Sequence, residues 1–307
     1  MPLTQLNFQP GIDTENTPTG AEGRWIDCDK IRFRKGLPQK IGGWTKFSEA
    51  YYVGVGRSLE QWFALNGSRY EALGTDRKVY AYVAGTNQDI TPIRSTDALV
   101  NAISTTTSSN IITITDTAHG ATKGDFITLS SVSTAVAGIP AATLDAEYEI
   151  LSITNTNAYT IQSSATANAN TGPTANCTIN YQLNIGPSVQ TFGFGWGAGN
   201  WNAGTWNTPR TTSQITLDAR LWSINNWGED LIITQKDGGT YEWDTSAGMT
   251  DNRATVVANA PTNSTLSLVS TETRHVVCMG TETVIANTAT QDKMFIRWSD
   301  QENYNQW

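Results

Sequence analysis

Only 16% of the 307 residues are charged, cysteine occurs three times and histidine twice. No apolar run approaches the roughly 20 residues needed to span a bilayer. Each scarcity excludes something. Cys28, Cys177 and Cys278 are far apart, odd in number and form no CxxC pair. They encode neither a local zinc site nor a disulfide framework, and read as small buried or half-buried thiols. Two histidines leave little material for acid–base work near neutral pH. Leu, Glu and Lys are too few in heptad spacing for a coiled coil. The N-terminus has no basic stretch followed by an apolar one, so no secretory signal is visible. The formal charge of −8 disfavours a protein that grips phosphate backbones or anionic lipid. Against these shortages stand 11 Trp, 10 Tyr and 8 Phe, which supply apolar area to bury and argue against intrinsic disorder. The composition predicts an acidic, soluble chain built on β-strands.

Tryptophan divides the chain. Trp25, Trp44 and Trp62 come early, none follows until Trp196, and eight lie between there and the end. The gap is rich in Thr, Ser, Ala and Asn and nearly free of basic residues, a shift that marks an inserted domain. Asn110-Ile-Ile-Thr-Ile-Thr-Asp116 alternates as a strand, and His119-Gly-Ala-Thr-Lys-Gly-Asp125 is a glycine-bearing turn. Further short runs of β-branched and aromatic residues start at Phe126, Tyr148 and Ala158. About six strands in about eighty residues predict a small β-sandwich or barrel.

A repeat flanks this insert. Trp62 to Thr75 leads into Asp76-Arg-Lys-Val-Tyr-Ala-Tyr-Val-Ala-Gly85, and Trp222 to Gln235 leads into Lys236-Asp-Gly-Gly-Thr-Tyr-Glu-Trp-Asp-Thr-Ser-Ala-Gly248. Each copy reads strand, turn, strand, turn, strand, glycine, with one residue added in the second copy's Asp-Gly-Gly turn. A weaker third copy runs from Arg274 to Asp300. Repeated antiparallel units with aromatics on one face predict propeller-like blades. The fold class expected is therefore all-β, with β-propeller-like blades and an inserted small β-sandwich or barrel. The partition expected is an N-terminal segment 1–48, a first blade 49–96, the insert 97–184, a second blade with a Trp/Gly-rich loop 185–250, and a partial third blade 251–307. Trp62 and Trp222 are expected at equivalent strand starts, and with Tyr80 and Tyr241 they are the candidate blade-packing residues. Closed propellers use at least about four blades. The three counted here, and an end inside Tyr304-Asn-Gln-Trp307, suggest the N-terminal part of a longer polypeptide, or else a chain sharing its sheets with a neighbouring subunit.

No motif assembles a reaction. Phe192 to Trp206 contains GxGxxxG, but the glycines are interleaved with Trp and followed by Thr-Pro-Arg210, so no helix starts cleanly to hold a phosphate. The segment reads instead as an aromatic–glycine loop, with Trp196, Trp201 and Trp206 as candidate subunit contacts. Asp116, His119 and Asp125 hint at a metal site, but Gly120 and Gly124 mark a turn that these side chains stabilise. Asp27-Cys-Asp29 is a DxD without partners, and no G-x-S-x-G elbow exists. No catalytic residue, metal site or cofactor is assigned.

The N-terminal stretch is more specific. Phe8-Gln-Pro-Gly-Ile-Asp13, followed by Gly20-Ala-Glu-Gly-Arg-Trp-Ile-Asp-Cys-Asp-Lys-Ile-Arg-Phe-Arg-Lys-Gly-Leu-Pro-Gln-Lys-Ile-Gly-Gly-Trp44, resembles the start of bacteriophage tail nozzle proteins, the tail tubular or packaged-DNA stabilisation group of short-tailed phages. Ala72-Leu-Gly-Thr75 and Asp89-Ile-Thr-Pro-Ile93 fit the first blade of that family. Trp196 to Trp201, Trp222 to Leu231 and Phe295 to Asn303 fit later ones. The H-G-x-x-x-G-D turn from His119 to Asp125 is similar to one in small β domains of phage structural proteins. The resemblance implies a non-enzymatic virion protein, assembled in the host cytoplasm. Six copies would form the distal tail tube below an adaptor ring, carry fibres or spikes, and retain and then pass duplex DNA without binding it specifically or entering a membrane. The alternative from the residues is a receptor- or glycan-binding propeller, in which exposed indoles stack on sugars.

Overall fold

The computed structural model describes residues 9–43, 45–46, 51–189 and 218–307. The chain divides into two compact units, Met1–Glu49 and Ala50–Trp307. The first holds a hairpin of β1 (Ile31–Arg34) and β2 (Leu37–Lys40), turned by Lys35 and Gly36, both at positive φ. Asp13 accepts hydrogen bonds from the Asn16 backbone and amide and from Arg24. Asp27 and Asp29 are exposed.

The second unit is all-β, assembled from antiparallel sheets. Its first sheet is a meander of β3 (Gly56–Phe63), β4 (Arg69–Thr75), β5 (Val79–Val83) and β6 (Thr86–Asp89). Ala84 and Gly85 close the last hairpin with two consecutive positive φ values, the conformation that a two-residue turn matched to strand twist requires.

The insert follows as nine strands in two sheets. Strands β7 (Ile93–Leu99), β10 (Phe126–Ser130), β11 (Glu147–Glu149) and β15 (Cys177–Gln182) form one, in the order β11-β10-β15-β7. The other comprises β8 (Ile103–Thr105), β9 (Ile111–Thr115), β12 (Ser152–Asn155), β13 (Ala158–Gln162) and β14 (Thr171–Thr174), in the order β12-β13-β9-β8-β14. A single helical turn, α1 (Ala141–Leu144), interrupts them. Ile112, Ile114, Ile127, Leu129, Tyr159, Ile161 and Ile179 interdigitate between the sheets. Of the two architectures expected, this is the sandwich: alternating residues of both sheets meet in one core. Strand β7 begins at Ile93, four residues before the expected edge. The insert's entry and exit adjoin, because the Leu183 N–H donates to the Pro92 carbonyl at 3.0 Å.

Among the described residues the unit holds two further sheets. One holds β16 (Trp222–Trp227), β17 (Asp230–Gln235), β18 (Thr240–Trp243) and β19 (Thr255–Val256); the other holds β20 (Leu266–Val269), β21 (Val276–Met279) and β22 (Ile296–Trp298). The fourth strand of the second sheet thus lies past residue 250, inside the stretch read from sequence as the third blade. Strand β16 lies against both β3 and β20, so the first strands of the three sheets are neighbours. One core joins the first sheet to the second through Trp62, Ala72, Ala81, Trp222, Ile224, Ile233 and Trp243. Another joins the second to the third through Trp227, Ile232, Val257, Val276 and Cys278. Face-to-face sheets with adjacent first strands are the arrangement of successive propeller blades.

Candidate functional site

The expected packing residues converge at the first interface, in a different relation from the one expected. Trp62 is the seventh residue of β3 and Trp222 the first of β16. They do not occupy equivalent positions in two sheets but stand at opposite ends of one interface, each reaching across to the other sheet. The reason is loop length. Residues 64–68 join β3 to β4, whereas Gly228 and Glu229 alone join β16 to β17, so the written repeat slips out of register. The indoles clasp reciprocally. Trp62 Nε1 donates to the Glu229 carbonyl at 2.8 Å, and Trp222 Nε1 donates to the Thr75 carbonyl at 2.6 Å. Both bonds satisfy a buried donor that would otherwise carry a desolvation cost of about 1–3 kcal/mol. Ser58 Oγ adds a bond to the Trp222 carbonyl at 2.5 Å, and Glu229 Oε1 accepts from Leu65 N–H at 2.6 Å. Tyr70 stacks on Trp62 with centroids 5.3 Å apart, and Trp243 meets both edge-on.

Gly74 makes this fit. A Cβ there would stand 2.7 Å from Trp222 Cδ1, so the indole lies directly on the backbone of β4. Tyr241 packs partly buried against the same core, and its phenol is pushed up to about 12 by burial, with Arg220 opposing. Tyr80 departs from expectation. It pairs with Leu73 and Asp89 on the face of the first sheet turned away from Trp62, where its hydroxyl accepts the Val53 N–H at 3.0 Å. Strand alternation forces this, since Ala81 takes the interface side. Trp196, Trp201 and Trp206 lie outside the described residues, as do Phe8 and Trp44 of the N-terminal resemblance.

A charged junction that sequence reading missed ties the insert to this stack. Lys78, 3% exposed, sits at the start of β5 with Nζ 2.8 Å from Asp89 Oδ2 and paired with Glu147 of β11. Arg253, between β18 and β19, bridges the same carboxylates at 3.3 Å each and donates to the Thr91 carbonyl. Gln182 donates to Glu147 at 2.5 Å, and Lys78 Nζ lies 4.2 Å from the centroid of Phe126. Burial pushes Asp89 upward, but Lys78 and Arg253 more than offset it and hold the carboxyl below its usual range. No local motif announces this cluster, because its four charges come from positions 78, 89, 147 and 253.

The remaining candidates are internal. His119 Nδ1 accepts the Ala121 N–H at 3.0 Å and Nε2 lies 3.2 Å from the Asn155 carbonyl, while Asp125 accepts from Thr122 and Ile185 N–H groups. The turn is thus held by His119 and Asp125, two of the three side chains first considered as metal ligands, and not by Asp116. Asp116 accepts Tyr181 OH at 2.5 Å, and that hydroxyl also meets Tyr159 OH at 2.9 Å; burial raises both phenols. His275 Nδ1 bonds the Ser299 carbonyl at 2.8 Å. Cys177 and Cys278 are buried thiols, pushed up to about 11 chiefly by desolvation. Among the described residues no three His, Cys, Asp or Glu side chains converge as for a metal ion, and no helix is long and apolar enough to cross a membrane.

These features define an all-β protein of stacked antiparallel sheets carrying a β-sandwich. No family model matches the chain, and no curated protein matches it. Among solved structures it is similar to the phage phi92 endosialidase, with a TM-score of 0.25 and 10% identity over 86% of this chain and 40% of that one. The chain spans less than half the length of that structure, and a likeness of this size assigns neither fold nor activity.

Proposed function

We propose that the chain is a structural protein of a short-tailed phage tail, forming the wall of the distal tube that retains packaged DNA and guides its ejection. The observation that carries the reading is where the resembling segments fall. Residues 72–75 lie in β4, 89–93 run from β6 into β7, 222–231 form β16 and the start of β17, and 295–303 include β22. Three of the segments similar to tail nozzle proteins thus supply strands of the three stacked sheets, while 89–93 link the first sheet to the insert, 8–44 belong to the first unit and Trp196 to Trp201 lie outside the described residues. In this reading the insert decorates the stack, and the protein works as a ring of like copies, likened to the six of the family, joined to an adaptor ring and to fibres or spikes.

Charge supports the same role. Duplex DNA carries a negative charge per about 1.7 Å of axis. A basic lumen would hold it and slow ejection, whereas copies each carrying −8 repel it and leave it free to slide. For the glycan-binding alternative, Trp62, Trp222, Trp227 and Trp243 are buried between sheets and cannot stack on sugars, which leaves exposed Trp298 as its candidate among the described residues. Imaging of assembled particles tests the proposal. The expected result is a closed ring on the tail axis with a duplex-wide channel and a predominantly negative inner wall. Absence from the virion, an off-axis position, or a channel lined by Lys and Arg overturns it.

A further inference from the structure

The third sheet is apolar on both faces, with Val269, Val276 and Cys278 packed toward the second sheet. Its face toward the second sheet carries Ser267, Cys278 and Arg297 across one row of paired residues. Its opposite face carries Leu266, Met279 and Ile296 in one row and Leu268, Val277 and Trp298 in the next. That opposite face is the open one: Trp298 is 61% and Ile296 49% exposed. Single exposed apolar residues need no explanation, but two full rows on a three-stranded sheet mark an interaction surface.

At the other end of the stack, the first sheet also leaves an open face. Leu59 and Phe63 of β3 point away from the Trp62 core and are 70% and 60% exposed. Two exposed arginines accompany them: Arg57 in β3, and Arg69, whose guanidinium lies 5.4 Å from the Phe63 centroid. The open face of the third sheet has no basic residue at its strand positions, and exposed Asp292 and Asp300 lie just beyond the two ends of β22. Both ends are therefore apolar at the centre; the two arginines outnumber Glu71 on the first face, and carboxylates flank the third sheet, where Lys293 is taken up by Asp237.

We propose that the open face of the third sheet takes the open face of the first sheet of a second copy of this chain. The contact continues the stacking already present between the first, second and third sheets. It is heterologous, since different surfaces of the two copies meet, and such contacts give rings when the rotation closes and filaments when it does not. The inference deepens the tail-tube reading and rests on it for closure into a ring, while the pairing itself rests on the two faces.

Light scattering of the full chain over a concentration series, with wild type, Leu59→Glu and Trp298→Glu, tests it. Wild type is expected to exceed the monomer mass as concentration rises, and each variant alone to stay monomeric. An equimolar mixture of the two variants is expected to give twice the monomer mass and no more, because one variant keeps an intact third-sheet face and the other an intact first-sheet face. Ile296→Lys, on the same face, replaces Trp298→Glu if that variant loses its β-sheet circular dichroism. Wild type that stays monomeric, Leu59→Glu that still self-associates, or a mixture that remains monomeric overturns the contact. Particle imaging reads position on the tail axis whichever faces meet, so failure here and failure of the tail-tube reading are separate results.

Discussion

At the scale of single residues, the tightest fit in the stack is an indole lying on a glycine. Trp222 reaches the backbone of β4 only because position 74 has no side chain. Trp222→Ala removes a buried indole and leaves a void, for an expected loss of about 3–5 kcal/mol. Gly74→Ala places a methyl where the indole ring stands, for about 1–3 kcal/mol of overpacking. The two costs are not independent, because the added methyl fits the space that the missing indole vacates. Denaturant unfolding of both single variants and the double variant is expected to show the double variant losing clearly less than the sum. Strict additivity would mean that the glycine is not there for the indole. Burial of Trp62 and Trp222 was legible from their place in a repeated aromatic pattern. Their placement at opposite ends of one interface was not, because it depends on unequal loops at 64–68 and 228–229, and loop length has little effect on local strand propensity.

Among elements, the insert carries its own core. Ile103, Ile112, Ile127, Leu144, Tyr159, Ile179 and Tyr181 are buried against one another. The buried tyrosine pair and Asp116 complete it with satisfied polar groups. Composition and alternation made this domain readable: a Trp-free, Thr-rich stretch of period-two strands has few other solutions. The nine strands exceeded the roughly six read from sequence because short members such as β8 and β11 have only three residues each, below the length at which alternation can be seen. Since Pro92 and Leu183 are hydrogen-bonded neighbours, a short Gly-Ser link in place of residues 93–182 spans the gap without strain. The expected outcome is soluble protein whose remaining sheets keep their β-sheet circular dichroism and a cooperative thermal transition. Loss of all soluble, β-rich protein on this deletion would make the insert integral to the stack instead.

On the scale of the whole second unit, four charges decide whether insert and stack behave as one body. Lys78 and Asp89 belong to the first sheet, Glu147 to the insert, and Arg253 to the second sheet's last link. Sequence could not show this, because long-range ion pairs leave no periodic trace and the partners are up to 164 positions apart, from Asp89 to Arg253. Their worth is conditional. A buried ion pair is weak evidence for net stability, but removing one partner leaves the other charge buried and uncompensated. Asp89 is held below its ordinary value of 3.8 by Lys78 and Arg253 acting against burial. A carboxyl depressed in this way contributes stability that is fully present above the ordinary value and is lost as pH falls through its folded value. The junction should therefore hold through neutral and mildly acidic conditions and weaken below about pH 4. Thermal unfolding of wild type between pH 6 and pH 2.5 is expected to show the melting temperature falling most steeply at the acid end. Asp89→Asn is expected to melt lower than wild type at pH 6, with a loss under the roughly 3–5 kcal/mol typical of a broken buried pair, because Glu147 still faces Lys78. The variant's fall toward acid should be shallower, since its most strongly held carboxyl is already gone. Parallel curves for the two proteins would show that the acid sensitivity lies elsewhere and that this junction does not bind the insert to the stack.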